Sequence, residues 1–324
     1  MTAACNCASR WPCNSTGWLA APRDRSSGFS SPKPGSIPSA SLPAVPLPCR
    51  GSAMTDLLTL TPTQYSLVLN VLNLSIGAFG AFGLLFILLR RNVARNYSIA
   101  ISLMAAVAAM AAYHYFRLYG SWLDAYALQG GQYVPTGAAF NYVMRYADWL
   151  GTVPLLLSAI MLVLDLGRQQ SASLVTRMAT SAGLMIGLGY IGEVQGDNLG
   201  GRAVWGLLAC VPFLYILYVL WGEMSRVLSF ESVRVRQLFS RLRWVLLASW
   251  VFYPVIYALP ILGISGPNVL TLVQFSNSAA DLLAKVGVGL LILGIAREKT
   301  EEDLAAASRT TITPTAVPVP VAAD

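Results

Sequence analysis

The sequence contains few charged residues. Asp, Glu, Lys and Arg make up only 11% of its 324 residues, whereas about 25% is usual for a soluble domain. Hydrophobic residues make up 55% of the chain. A soluble protein of this length needs a more polar surface, so the composition predicts a chain whose outer surface is covered by lipid.

The alternation of polar and apolar residues that marks the strands of a membrane barrel is also missing. Instead, the chain has seven apolar stretches near the ~20 residues that a helix needs to cross the hydrocarbon of a bilayer. We therefore predict an all-α membrane protein, a bundle of seven transmembrane helices. The predicted spans are roughly 64–89, 96–118, 139–164, 173–192, 203–224, 240–262 and 269–295.

The net charge of +7 would suit a nucleic-acid-binding protein, but the positions of the basic residues do not. Most of them fall between spans that end on the same side of the membrane. By the positive-inside rule, this places the amino terminus outside and the carboxyl terminus in the cytoplasm. We expect a multi-pass protein of the cell membrane with lipid, not nucleic acid, as its partner. The basic residues in question are Arg90, Arg91, Arg95, Arg168, Arg177, Arg226, Arg234, Arg236, Arg241, Arg243, Arg297 and Lys299.

The first 53 residues differ from the rest and are rich in Ser, Pro and Arg. They contain four of the five cysteines, in a spacing that matches no metal-ligand pattern, and no apolar stretch typical of a signal peptide. Met54 opens a natural-looking start, so residues 1–53 are interpreted as a mis-called start, a disordered extension or a transit segment. Residues 54–297 are the predicted seven-helix domain, and residues 298–324 are a predicted disordered cytoplasmic tail.

Lysine is scarce, and only one lysine lies deep in a predicted span. The three lysines are Lys33, Lys285 and Lys299, and Lys285 is the one within the seventh span. Ionisable groups inside a bilayer are expensive and usually mark function. Asp281 lies four residues earlier on the same helical face. The pair fits either a structural ion pair or a desolvated amine that forms a Schiff base with an aldehyde.

The third span carries a second set of polar residues. Arg145, Asp148 and Thr152 are three and four residues apart and therefore share one helical face. We expect Asp148 to face the Lys285 nitrogen, and Thr152 to hydrogen-bond the Asp148 carboxylate from one turn further in. Arg145 lies one turn toward the outside. One lysine, two carboxylates and one arginine are nearly neutral together, which makes their burial tolerable.

These residues resemble the microbial rhodopsins, over about residues 58–297. The motifs RYADWLGTVPLL and DLLAKVG carry the resemblance, and LMIGLGYIGE is similar to the proteorhodopsin and xanthorhodopsin branch. The resemblance implies that Lys285 carries all-trans retinal as a protonated Schiff base. Asp148 would be the primary counterion and proton acceptor, and Asp281 the second counterion. Thr152 would tune the hydrogen bonding of Asp148, and Arg145 would gate the exit side.

The resemblance also implies a retinal pocket with aromatic walls, because a long apolar polyene needs area with fixed geometry. The motif ASWVFYPVIY supplies Trp250, Tyr253 and Pro254 at the family's pocket spacing, and Trp149 and Phe213 complete the predicted walls. Each aromatic residue taken alone fits ordinary core packing equally well. Leu156 lies where this branch sets its colour, and a leucine there resembles green-absorbing members.

Two further positions, His114 and Gly206, each allow two interpretations. His114, the only histidine, is either a packing residue or, as the xanthorhodopsin branch implies, a hydrogen-bond partner of Asp148. Gly206 in the fifth span is either a tight helix contact or an opening in the pocket wall. In the second case, the resemblance implies room for a carotenoid antenna beside the retinal.

The sequence departs from the family pattern on the cytoplasmic side. The position of the usual carboxylate donor, eleven residues after Asp148, is Ala159. An alanine cannot donate a proton, so the Schiff base must receive its new proton through water or from Asp165. Asp165 fits a solvated charge at the helix end better. The loop LGISGPNVL between the sixth and seventh spans contains no carboxylate, so a release group is missing there. We therefore expect slow or pH-dependent reprotonation.

The predicted function is outward proton pumping driven by light, which is ion transport and not an enzymatic reaction. The alternative is a light sensor with a slow photocycle that acts through a partner. A light-gated channel and a hormone-type receptor fit less well, since the receptor would not explain Lys285, Asp148 and Asp281 together. By resemblance, we expect a homo-oligomer, either a trimer or a pentamer.

Overall fold

The computed structural model describes residues 58–312, with side chains up to residue 309. The predictions about residues 1–53 and about the last twelve residues of the tail concern parts of the chain outside this range. The described part is a bundle of helices with one short hairpin.

The helices form seven spans, as predicted. A 3₁₀ turn, Arg90–Asn92, follows α1, and π-helical turns at Val219–Glu223 and Leu283–Gly287 join α5 to α6 and α9 to α10. The α5–α6, α7–α8 and α9–α10 pairs therefore each make one span. The helices are α1 Pro62–Leu89, α2 Arg95–Ala125, α3 Met144–Leu162, α4 Arg168–Glu193, α5 Leu199–Tyr218, α6 Met224–Leu228, α7 Val233–Trp250, α8 Phe252–Ala258, α9 Pro267–Leu282 and α10 Val288–Ile312.

Five of the described spans are long and apolar enough to cross a membrane by themselves. The remaining two are α3, which carries Arg145 and Asp148 within 19 residues, and α7–α8, which is interrupted after Trp250. Polar residues in these two spans lower their apolarity, and packing against the neighbouring helices places them in the bundle. The five ranges are Pro62–Asn92, Arg95–Ala125, Arg168–Glu193, Leu199–Leu228 and Pro267–Arg309.

Local sequence explains where several helices begin. Thr61 caps α1: its hydroxyl accepts from the Gln64 backbone, the Gln64 side chain accepts from the Thr61 backbone, and Pro62 follows at the first helical position. Ser232 caps α7 through the backbone N–H of Val235. These side chains accept from backbone N–H groups that a helix start leaves unpaired.

A two-stranded hairpin between α2 and α3 was not predicted. Its strands, β1 Tyr126–Gln129 and β2 Gln132–Pro135, are antiparallel and are joined by Gly130 and Gly131. Both glycines have positive φ, at 58° and 80°, as a two-residue hairpin turn requires. Tyr133 also pairs with Leu60 just before α1, which ties the hairpin to the start of the bundle.

The carboxyl-terminal helix extends beyond the predicted domain boundary at residue 297. α10 continues to Ile312, so residues 298–312 are helical instead of forming the start of a disordered tail. Interactions with other segments hold this extension. The Lys299 Nζ donates to both Glu231 carboxylate oxygens at 2.7 and 2.9 Å, and the Tyr97 hydroxyl donates to Asp303 Oδ2 at 2.9 Å.

Two groups of buried apolar side chains lie on either side of the polar centre. One group extends toward α10 and the half of the bundle away from the hairpin, and includes Leu156, Ile160 and Phe239. The other packs around Phe79 and Trp122 near the hairpin. Lys285 and its carboxylates lie between them, so the fold surrounds a few charges with close-packed apolar residues.

Candidate functional site

Lys285 lies at the centre of the site, in the π-helical turn Leu283–Gly287, and is only 2% exposed. Its Nζ donates to Asp148 Oδ2 across from α3 and lies 3.4 Å from Asp281 Oδ2 on α9. Single π-helical turns within α-helices are rare and frequent at functional sites. The structure thus brings together the three residues that the sequence singled out.

Three donors from three different helices surround Asp281. The Tyr115 hydroxyl donates to Oδ2 at 2.8 Å, while Trp149 Nε1 and the Tyr253 hydroxyl donate to Oδ1 at 3.0 and 2.5 Å. Hydrogen bonds to a charged acceptor are the strong ones in proteins. Both oxygens of Asp281 are therefore occupied by donors of the scaffold.

Asp148 is less fully satisfied than Asp281. Its Oδ2 meets Lys285, but its Oδ1 is buried without a hydrogen bond among the described residues. The His114 Nδ1 lies 3.4 Å from this oxygen and only 2.9 Å from the backbone carbonyl of Met110. A ring nitrogen carries at most one proton, and the shorter contact has the better hydrogen-bond distance. The imidazole therefore lies beside Asp148, but its stronger contact is to Met110, and its role as a hydrogen-bond partner of Asp148 stays a prediction.

Arg145 donates to neutral side chains, and Thr152 contacts a different atom from the one predicted. The Arg145 guanidinium donates to the Tyr115 hydroxyl and to Gln274 Oε1, each at 3.0 Å, so it reaches Asp281 through Tyr115. The Thr152 hydroxyl donates to the backbone carbonyl of Asp148 at 2.8 Å, not to the carboxylate. A helical threonine easily makes this bond to the carbonyl four residues earlier, which explains the difference.

A cavity of about 390 Å³ adjoins Lys285 and fits an elongated apolar ligand. Its volume lies within the range of about 300–1,000 Å³ of small-molecule pockets. The Trp149 and Tyr253 ring centroids are 4.8 Å apart, and those of Phe213 and Trp250 are 6.2 Å apart. All seven predicted pocket residues line the cavity: Trp149, Leu156, Gly206, Phe213, Trp250, Tyr253 and Pro254.

Gly206 makes a tight helix contact in this structure. A Cβ at this position would lie 2.5 Å from a ring carbon of Tyr257, which also lines the cavity. The Tyr257 hydroxyl donates to the backbone carbonyl of Arg202 at 2.8 Å, so the ring is fixed against α5. Of the two interpretations of this glycine, the described geometry matches close packing, and the space beside it is filled by an aromatic ring.

The half of the site away from the hairpin is apolar. Ala159 is fully buried in the same apolar group as Leu156 and Ile160. The Ser158 hydroxyl donates to the carbonyl of Pro154 at 2.7 Å. Asp165 is exposed, and its Oδ2 accepts from the side chain of Asn96 at 3.1 Å. Asp165 thus lies at the surface end of the span. This position agrees with its interpretation as a solvated charge at the helix end.

Sequence reasoning missed several polar residues of the site. Tyr115 and Gln274 hold Arg145, and Asn277 is 1% exposed with neither its amide nitrogen nor its oxygen hydrogen-bonded among the described residues. Asn277 precedes Asp281 by four residues, so helical spacing was a usable signal for it. Tyr115 and Gln274 carry no such signal, because their role depends on which helices are neighbours.

Comparison with known proteins agrees with this geometry. The family model described as bacteriorhodopsin-like protein matches residues 64–299. A green-light absorbing proteorhodopsin from a gamma-proteobacterium is 28% identical over 214 residues, which is 65% of this chain and 79% of that protein. Bacteriorhodopsin from Halobacterium salinarum is 36% identical over 185 residues, covering 55% of this chain and 65% of that protein.

Two crystal structures share the fold. Xanthorhodopsin, described as a light-driven ion pump with dual chromophore, is 43% identical with a TM-score of 0.74, covering 76% of this chain and 99% of that one. A thermophilic rhodopsin is 44% identical, with the same TM-score and the same coverage of both chains. With the family match over more than half of its length, the chain belongs to the bacteriorhodopsin-like family and is a microbial rhodopsin of the proteorhodopsin and xanthorhodopsin branch.

Proposed function

We propose that the protein is a light-driven outward proton pump that carries all-trans retinal on Lys285 as a protonated Schiff base. The observation that carries this proposal is the unequal pair of carboxylates around one buried amine. Membership of the rhodopsin family implies a retinal chromophore. A receptor for a diffusible ligand would need no such arrangement of charges at the end of an apolar cavity.

The residues present fit a retinal molecule. Lys285 opens into the cavity of about 390 Å³, so an aldehyde could reach its amine while the polyene lies between aromatic rings. Trp149 and Trp250 offer flat apolar surface with fixed geometry. When bound, retinal would supply light absorption and a change of shape that alters how strongly the nitrogen holds its proton.

Asp148 is the better proton acceptor of the two carboxylates. Its Oδ1 has no hydrogen bond among the described residues, so a proton can add there without displacing a donor. Asp281 receives three hydrogen bonds, and protonating either of its oxygens would break at least one of them. Asp281 would therefore remain an anion and balance positive charge at Lys285 while Asp148 gains and loses a proton.

The distribution of polar groups favours one direction. Arg145, Gln274 and Asn277 lie toward the end of the bundle that holds the hairpin, whereas Ala159 and its neighbours are apolar on the other side. A proton on Asp148 therefore has polar groups to move along toward the hairpin end. The positive-inside rule places that end outside, which makes the transport outward.

Reprotonation of the Schiff-base nitrogen is the slow step of the proposed cycle. Ala159 is buried among apolar side chains, and Asp165 is at the surface. The proton must then cross an apolar layer with the help of water. This feature also favours the second candidate, a light sensor with a long-lived state that acts through a partner.

A carotenoid antenna remains a secondary proposal. It rests on the similarity to xanthorhodopsin, which is described as having a dual chromophore. Because Tyr257 fills the space beside Gly206, its ring would have to move for a second chromophore to approach. Assembly as a trimer or pentamer likewise stays a prediction.

Illuminated cells test the pump against the sensor. Bacteria that produce the protein with all-trans retinal are suspended without buffer, and the pH is recorded under green light. Acidification that a protonophore abolishes, and that Asp148→Asn removes, supports the pump. A coloured protein that causes no pH change would contradict pumping and favour the sensor.

A further inference from the structure

Glu193 and Arg202 form a buried ion pair that the proposed cycle does not use. Arg202 donates to Glu193 Oε2 at 2.8 Å, and the two side chains are 3% and 7% exposed, respectively. Glu193 is the last residue of α4, and Arg202 lies in the first turn of α5. Burial of two charges is expensive even when they attract each other, so an apolar pair would stabilise this corner as well.

Side-chain contacts connect Glu193 to the charges around Lys285. The Tyr146 hydroxyl donates to the same Oε2 at 3.2 Å. The Tyr146 ring lies edge-on to Trp149, with centroids 5.2 Å apart, and Trp149 Nε1 donates to Asp281. Two side chains of α3 thus lie between Asp281 and Glu193.

Asn277 adds a polar group in the same wall of the cavity. It precedes Asp281 by one helical turn, and it lines the cavity together with Tyr142 and Tyr146. Its amide is buried and has no hydrogen-bond partner among the described residues. Buried polar groups of this kind are generally satisfied by ordered water. Asn277 is thus a buried polar group, one helical turn from Asp281, in the same cavity wall as Tyr146.

Glu193 is the buried carboxylate at this end of the bundle beyond the Lys285 pair, within residues 58–309. Asp124 and Asp197 at the same end are both exposed. The segment between α8 and α9 contains no acidic residue. The groups that face Glu193 are Arg202 from α5 and Tyr146 from α3, and Tyr257 from α8 packs against Arg202 with its ring 4.3 Å from the guanidinium carbon.

We infer that Glu193 is the exit-side proton-relay residue, which takes the proton that leaves Asp148 and passes it to water outside. The inference rests on the proposed pump. In the relay, the O–H bond of the Asp148 carboxyl breaks and a new O–H bond forms on the Glu193 carboxylate, which leaves Asp148 an anion again. Arg202 is the positioning residue: its unpaired charge then favours loss of the proton from Glu193 to bulk water, and the ion pair re-forms.

Flash experiments on the full chain with retinal test the relay. A pH-sensitive dye outside lipid nanodiscs follows proton release after a flash, and time-resolved infrared spectroscopy follows carboxyl groups that gain a proton. We compare the unmodified protein with Glu193→Gln, Glu193→Asp and, as a matched control, Asp197→Asn, which changes an exposed carboxylate four residues away. We expect Glu193→Gln to slow release by about a hundredfold, the lower end of what a positioned proton-transfer group contributes.

Each outcome decides the inference. A transient carboxyl band and fast release that are lost in Glu193→Gln, restored in part by Glu193→Asp and unchanged in Asp197→Asn support the relay. Pumping with unchanged release in Glu193→Gln overturns the relay and leaves the pump intact. If the unmodified protein does not pump, the proposed function fails. In that case, a transient carboxyl band that still depends on Glu193 would support proton transfer to this residue. Absence of that band would overturn the relay as well.

Discussion

Asp281 lies 3.4 Å from the Lys285 amine, yet it makes its hydrogen bonds to three other side chains. The amine donates instead to Asp148, on a different helix. In the proposed cycle, Asp281 is therefore the fixed counter-charge, and Asp148 has the oxygen that takes up the proton. This division of roles underlies the predictions that follow.

Neutralising the two carboxylates should have different effects. Asp148→Asn removes the proposed acceptor, so we expect a coloured protein without any light-driven change of pH. Asp281→Asn leaves the acceptor in place but puts an amide among three hydrogen-bond donors, so we expect a weakly stable pigment with residual transport. Absorption spectra and suspension pH measure both effects. Undiminished pumping by Asp148→Asn would contradict the assignment.

Tyr115 should contribute to stability through its two hydrogen bonds. Its hydroxyl donates to Asp281 and accepts from Arg145, and both partners are buried. Tyr115→Phe should lower the free energy of unfolding by about 1.5–3 kcal/mol, the usual size for a hydrogen bond to a charged group. The temperature of thermal bleaching measures the loss.

Tyr113→Phe provides the matched control for that experiment. Tyr113 is exposed, and its hydroxyl contacts only the exposed Arg117 among the hydrogen bonds of this region. Surface substitutions of this kind usually change stability by less than about 0.5 kcal/mol. Equal losses in the two variants would show that Tyr115 has no special role in the site.

A carboxylate in the apolar half of the bundle away from the hairpin should speed reprotonation of the Schiff base. Ala159→Glu places a proton donor in the layer that lacks one, so we expect recovery after a flash to be faster by about a hundredfold or more. Ala159→Gln has a similar size and polarity but cannot donate a proton, and it should leave recovery slow. Flash absorption spectroscopy measures both rates, and equal rates in the two variants would contradict proton-limited recovery.

The ion pair between Lys299 and Glu231 should hold the extension of α10. Their side chains are 11% and 14% exposed, so removing one partner leaves the other poorly solvated. Glu231→Gln alone and Lys299→Met alone should each reduce the protection of the amides of residues 298–309 against hydrogen exchange. The double variant should lose less than the sum of the two single losses, because it leaves no unpaired charge. Additive losses would show that the pair does not act as a unit.

The sequence predicted the residues whose chemistry is unusual in a membrane. Lys285, Asp148 and Asp281 stand out because charges are rare in apolar helices, and helical spacing places Asp281 beside Lys285. The pocket residues followed from the resemblance, and the structure places all of them around one cavity. Rarity and spacing are local properties of a chain, so they can be read without a structure.

The features that the sequence did not predict depend on contacts between segments that are distant in the chain. Tyr115 meets Asp281 across 166 residues, and Glu193 meets Tyr146 across 47. The hydroxyl of Thr152 donates to the backbone carbonyl of Asp148 instead of to its carboxylate. The hairpin was missed because its strands are only four residues long, which is too short for a clear alternation.

The photocurrent at zero driving force shows whether the protein moves protons actively or only lets them pass. A cell that produces the protein with retinal is voltage-clamped with equal pH and equal ion concentrations on both sides, and is then illuminated with green light. We predict an outward current that is carried by protons, persists against a moderate opposing voltage and disappears in Asp148→Asn. No current, or a current that reverses when the membrane voltage changes sign, would contradict a proton pump.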